Sequence, residues 1–102
     1  MPSSFLSVAR QIACCHHEKW DGSGYPHGLA GEAIPLPARL MAVADVYDAL
    51  ISRRIYKEPF PHERAVAVIE AGSGRHFDPS VVSAFLSEAE TFRAIAQRFQ
   101  DE

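Results

Sequence analysis

Two adjacent imidazoles, His16 and His17, stand directly before Glu18-Lys19-Trp20-Asp21-Gly22-Ser23-Gly24-Tyr25-Pro26, a rigid run of glycine, tyrosine and proline. Neutral imidazole is the commonest protein ligand for transition metals, and a pKa near ~6.5 leaves it available at neutral pH. Phe5, Ala9, Ile12 and His16 recur at helical spacing, which puts His16 on an apolar stripe. His17 then falls about 100° further round the helix. One helix end can therefore serve two metals, or one metal and a group that orients its ligand. Taken alone, the pair reads more simply as a buried, hydrogen-bonded His16 beside a solvated His17; the residues that follow favour the metal.

Asp45 and Asp48 share a helix face at i, i+3 spacing, either as oxygen donors or as a solvated flank. Histidine with carboxylate and open positions suits iron, manganese or a similar divalent ion. Such ions polarise a phosphoryl oxygen and lower the pKa of bound water, so phosphoester hydrolysis is the reaction these residue types serve. An anionic substrate needs cations, and Arg53, Arg54 and Lys57 follow at the end of the same segment. Arg54 and Lys57 lie on one side if the helical turn persists, a fork and a point charge for phosphate. A solvated basic helix end is the other reading. Tyr25, fixed between Gly24 and Pro26, presents a ring that can stack on a base or donate its hydroxyl to a phosphate. Asp21-Gly22 signals a turn in which Asp21 bonds nearby backbone.

The elements that must position these groups read as four helices with no strands, an all-α fold. The first spans about Phe5 to His17, capped by Ser3 or Ser4. A long loop from Trp20 to Pro35 follows, and loops of that length inside compact domains are usually functional. The second helix opens near Leu36 or Pro37 and reaches about Arg53, with Leu36, Leu40, Val43, Tyr47 and Leu50 on one arc. The third covers His62 to Ala71 and closes on Gly72 as a left-handed cap. The fourth opens at Asp78-Pro79 and runs on through a core stripe of Val82, Phe85, Ala89, Phe92, Ala96 and Phe99.

At 102 residues the chain makes one domain at most. Its 47% hydrophobic and 23% charged residues exclude a disordered tail, and no apolar run spans a bilayer. The first residues lack the features of a signal peptide, so a cytoplasmic location is expected. A formal charge of -3 argues against a broad nucleic-acid surface but leaves small phosphorylated ligands open. Cys14 and Cys15 are neighbours that cannot easily bridge, and read as core filler outside the site.

Taken together, His16-His17-Glu18, Asp21-Gly22-Ser23-Gly24-Tyr25-Pro26, Gly28-Leu29, Ile34-Pro35-Leu36, Ala44-Asp45-Val46-Tyr47-Asp48-Ala49-Leu50, Arg54 and Tyr56-Lys57 resemble the HD-GYP family. Gly74-Arg75-His76-Phe77-Asp78-Pro79 fits the same pattern, so the match runs from about Ala9 to Phe85. The resemblance implies a helical branch of the HD-domain metal phosphohydrolases, whose members hydrolyse the bacterial second messenger cyclic di-GMP to linear pGpG or GMP. It implies His16, His17 and Asp45 as metal ligands, and Tyr25, Arg54 and Lys57 as contacts to the ligand's base or phosphates. It also implies a parent with receiver or other sensory domains, such as a response regulator.

Two departures qualify this expectation. Ile55 stands where the family has proline, a small change. The histidine-aspartate pair behind the family's first two letters is absent, with the other upstream histidines and a carboxylate, and His27, His62 and His76 do not replace them on spacing. Residues 1–102 are thus expected to be one partial HD-GYP domain, its C-terminal part. Three ligands from two helices can hold one iron or manganese ion loosely but cannot organise a bridged pair. Negligible phosphodiesterase activity is expected for this chain alone, and no residue is assigned as catalytic. The alternative is a non-catalytic signalling module that docks a protein partner through the Gly24-Tyr25-Pro26 loop. Apolar faces left bare, including that of Ile12 and His16, are expected to make the chain a homo-oligomer through its first helix.

Overall fold

The computed structural model describes residues 2–53, 55 and 57–100. Among the described residues five helices form an all-α fold: α1 (Pro2–Cys15), α2 (Leu36–Ile51), α3 (His62–Ala71), α4 (Pro79–Ser87) and α5 (Ala89–Gln100). A 3-10 turn, Gly31–Ala33, interrupts the long loop before α2. Among the described residues no helix is long and apolar enough to cross a membrane.

Central to the packing is α2, which lies against α1, α3 and α4. Pro35 precedes it and Pro37 occupies its first turn, where a missing N–H costs nothing. Its buried side chains are Ala38, Ala42, Val43 and Tyr47, whereas Leu36 and Leu40 are about half exposed, against the expected arc. The small alanines let neighbouring elements approach the first turns closely. Ala42, Val43 and Tyr47 join Ala65, Ile69, Phe77, Val81, Val82 and Phe85 in the main core. Tyr47 packs edge-on against Phe85 at 5.5 Å, and its hydroxyl shares a 2.9 Å hydrogen bond with His62 Nδ1, which makes burial of the phenol tolerable. That burial raises the Tyr47 pKa.

Three element ends differ from expectation. Helix α2 stops at Ile51, and Ser52 is extended, so no helical turn carries on to Lys57. Gly72 is not left-handed, with φ -86° and ψ 0°. Glycine is required there because a Cβ would stand 2.8 Å from the Phe77 ring; the positive φ of 82° belongs to Gly74. The expected last helix is two, broken at Glu88, whose φ of -111° and ψ of 16° leave the helical region. The bend lets Phe92 return to Phe85 at 5.0 Å and to Tyr47 at 5.7 Å. The side chain of Phe99 lies outside those described.

Helix α1 starts and ends two or three residues earlier than expected, at Cys15. Phe5, Leu6 and Val8 are exposed on it. Cys14 and Cys15, expected to stay apart, form a vicinal disulfide, and Cys15 is buried with Ile34 and Ala38 in a second small core against which Leu29 packs.

A buried ion pair joins distant segments. Arg39 Nη1 donates to Asp78 Oδ2 at 2.7 Å, its Nε donates to the Ile34 carbonyl at 2.8 Å, and Asp78 Oδ1 caps α4 by accepting from the Ser80 N–H at 2.8 Å. Asp78 is only 4% exposed. Removing Asp78 leaves the part-buried Arg39 without its partner and α4 without its cap, so Asp78→Ala is expected to cost about 3 kcal/mol in urea unfolding. Glu58→Ala, which breaks the exposed Arg53–Glu58 pair, is expected to cost at most about 1 kcal/mol. Equal effects would contradict this assignment.

Candidate functional site

The end of α1 presents the histidine pair. His16 Nδ1–H donates to the Ile12 carbonyl at 2.7 Å, a bond that fixes the ring and leaves Nε2 as its free nitrogen. The His17 ring is exposed and lies 4.0 Å from the His16 ring, tilted by 40°. Tyr25 stacks on His17 at 4.9 Å and 16°, so the loop returns to the helix end it left.

Close backbone contact makes this return possible. The Tyr25 N–H donates to the His17 carbonyl at 3.2 Å. A methyl on Gly24 would stand 2.5 Å from both the His17 carbonyl oxygen and the Lys19 nitrogen, backbone atoms that cannot swing aside. Gly22, with φ 86°, donates to the Lys19 carbonyl at 2.8 Å and closes the turn. Asp21 Oδ1 accepts from the Ser23 hydroxyl at 2.6 Å and the Ser23 N–H at 2.9 Å, as its place before glycine suggested. Those two bonds hold the Asp21 carboxyl below the usual carboxylate range.

The loop is also tied to the turn before α4. Trp20 N–H donates to the His76 carbonyl at 3.1 Å, and Asp21 N–H to the Arg75 carbonyl at 2.8 Å. The Gly31 N–H returns to the Trp20 carbonyl at 2.9 Å.

The remaining expected residues are placed differently. Asp45 is exposed on α2. Among the described residues no three His, Cys, Asp or Glu side chains form a group able to hold a metal ion, so Asp45 does not complete a ready-made site with His16 and His17. The imidazoles thus fit part of a metal centre and not a whole one. Lys57 Nζ donates to the Leu50 carbonyl at 3.2 Å and the Glu58 carbonyl at 3.0 Å, over the Phe60 ring. It closes the C-terminal end of α2, since the absent helical turn does not carry it toward the loop. Arg54 lies outside the described residues. A cavity of about 760 Å³ between α2 and α5 is lined by Tyr47, Asp48, Arg53, Phe92 and Ile95 among others, and not by His16, His17, Tyr25, Asp45 or Lys57.

Sequence reasoning gave no role to Glu18, which is 2% exposed and accepts from the His27 N–H at 2.7 Å and the Leu29 N–H at 2.9 Å. Its signal was available: an acid at the foot of a glycine-rich loop whose N–H groups all need acceptors. Arg39 was missed likewise, and Asp78 was legible only as the cap of α4 and not as the partner of Arg39, because that partner is remote in sequence.

Burial pushes the His76 imidazole below its ordinary pKa, Lys19 lowers it further, and Asp21 partly opposes them. The unfolded chain then takes up this proton first, so its contribution to stability is lost as pH falls below about 6.5. His76→Gln is expected to show a shallower loss of thermal midpoint than wild type between about pH 6.5 and 5; an identical slope would remove this role.

Comparisons with known proteins agree with the fold and motifs. The HD domain family model matches residues 1–81. A cyclic di-GMP phosphodiesterase of Vibrio cholerae is 65% identical over 99 residues, covering 97% of this chain and 20% of that protein. One of Thermotoga maritima is 46% identical over 100 residues, 98% of this chain and 27% of that protein. A 3'3'-cGAMP-specific phosphodiesterase of V. cholerae is 46% identical over 96 residues, 94% and 18% respectively. Among solved structures, a V. cholerae cyclic GMP-AMP-specific phosphodiesterase matches with TM-score 0.65 and 30% identity, over 88% of this chain and 22% of its own. The chain spans about a fifth to a quarter of the length of these relatives. On its motifs, its helices and these matches, the chain belongs to the HD domain family, in the HD-GYP branch.

Proposed function

We propose that this chain is the ligand-contacting part of a metal-dependent cyclic-dinucleotide phosphodiesterase domain, with cyclic di-GMP as the substrate of the whole. The observation that carries the reading is the Tyr25 ring stacked on His17 beside His16, which has a free ring nitrogen. The relatives' names support the substrate class, since all act on a cyclic dinucleotide. In this reading His16 and His17 donate nitrogen to iron or manganese, and Asp45 donates oxygen after its side chain reorients. A bound divalent ion would polarise a phosphoryl oxygen and acidify water. The chain's own part is to hold the two imidazoles and to offer Tyr25 to a base. Arg54 and Lys57 are assigned to the phosphates; Lys57 must then leave two carbonyls. The whole protein is read as a cytoplasmic signalling protein of the response-regulator kind.

Because the described residues hold no group of three metal donors, the chain alone is expected to hydrolyse cyclic di-GMP no faster than a His16→Ala, His17→Ala double variant, with added iron or manganese. Robust wild-type turnover would overturn the incomplete-site reading.

A second reading is favoured by the 60% exposure of Tyr25: the loop docks a signalling protein and the chain does no chemistry. Loss of stoichiometric metal in His17→Ala supports the first reading; metal-free protein that binds a partner through Tyr25 supports the second. In either reading copies of the chain associate through Phe5, Leu6 and Val8 of α1, exposed at 73%, 58% and 42%. Sedimentation at rising concentration is expected to show association that Phe5→Ser weakens; a persistent monomer would contradict it.

A further inference from the structure

We propose that Glu18 is the positioning residue of this site: its buried carboxylate clamps the far limb of the loop and thereby sets the stack of Tyr25 on His17. Glu18 touches neither ring by hydrogen bond. Its two oxygens are divided between two loop amides, Oε2 accepting from the His27 N–H at 2.7 Å and Oε1 from the Leu29 N–H at 2.9 Å. Among the described residues no basic side chain pairs with it in a salt bridge. A carboxylate that is 2% exposed and has only backbone N–H partners is held for those partners, because burying it otherwise costs far more than any packing it adds.

The geometry explains how the clamp reaches the rings. Tyr25 is held on the near limb by its own N–H to the His17 carbonyl and by the close approach of Gly24 to residues 17–19. His27 and Leu29 follow on the far limb, so Glu18 grips the chain just beyond Pro26 while its backbone neighbour His17 carries the stacked ring. The two limbs are fixed to consecutive residues of one segment, and Tyr25 sits where they meet. Glutamine cannot replace this acid, since it offers one acceptor oxygen and sets an NH2 group against the second amide.

The importance of this clamp for catalysis rests on the reading of His17 as a metal donor. The test therefore uses the metal-free chain, so a failure of that reading and a failure of this one are separable. Proton and nitrogen spectra of the histidine and tyrosine rings, with amide exchange, are recorded for wild type, Glu18→Gln and a Tyr25→Leu reference. In wild type the His27 and Leu29 amides are expected to be the slowest-exchanging of residues 20–35. In Glu18→Gln their protection should fall about ten- to a hundredfold. The His17 ring protons should move toward their positions in Tyr25→Leu, while methyl signals of Ile69 and Val82 stay in place. Three results would overturn the proposal: rapid exchange of both amides in wild type, unchanged His17 ring signals in Glu18→Gln, or core methyl signals that shift together with them. Should Glu18→Gln fold poorly, Glu18→Asp, whose carboxylate is one methylene too short to reach both amides, takes its place: loss of His27 and Leu29 protection together with the His17 ring shift supports the clamp, and a ring that stays in place while those amides exchange freely counts against it.

Discussion

A loop running from Trp20 to Pro35 can lie against a helix end only if its backbone N–H groups find acceptors, and that demand organises this end of the molecule. Glu18 takes two of them with a carboxylate; the carbonyls of His17, Lys19 and Trp20 take three more. The loop's own N–H groups at Trp20 and Asp21 reach the carbonyls of His76 and Arg75. The loop is thus sewn both to the helix it leaves and to the turn before α4. Arg39 completes the circuit by holding the Ile34 carbonyl and Asp78 at once.

This arrangement separates what is rigid in the site from what is incomplete. The His16 ring is oriented by the Ile12 carbonyl, the His17 ring lies between His16 and Tyr25, and Glycine 24 permits the approach that makes the stack possible. These contacts are all made between residues 12 and 25, within a loop that Glu18 and the turn before α4 hold in place. The proposed oxygen donor and phosphate-binding cation are different, because Asp45 sits exposed on α2 and Lys57 is engaged by carbonyls at that helix's end. The stacked tyrosine and the two imidazoles are built in, whereas the described residues hold no group of three metal donors.

Much of this was legible in the sequence, and the limits have physical causes. Pro61 and Gly72 bounded α3, and Asp78-Pro79 marked the start of α4, because caps and prolines act over a single turn. The Asp21 turn was readable for the same reason. Periodicity placed Val43, Tyr47 and Leu50 of α2 at the core but turned Leu36 and Leu40 inward in error, since it counts large apolar residues and Ala38 and Ala42 bury by being small. It also ran α4 into α5, because the stripe keeps its spacing across Glu88 while the backbone bends there. In the site, the residue types at positions sixteen, seventeen and twenty-five announced themselves. Glu18, Arg39 and the ion pair of Asp78 did not, because their work is done on backbone groups or on partners far along the chain.

The most direct test is a titration of the chain with Mn²⁺, following paramagnetic broadening across its resolved signals. The account predicts weak binding centred on the rings of His16 and His17, with Tyr25 broadened next and His62 untouched. Broadening that begins at Glu88 and Glu90, or rings at the end of α1 that stay sharp at saturating ion, would contradict it.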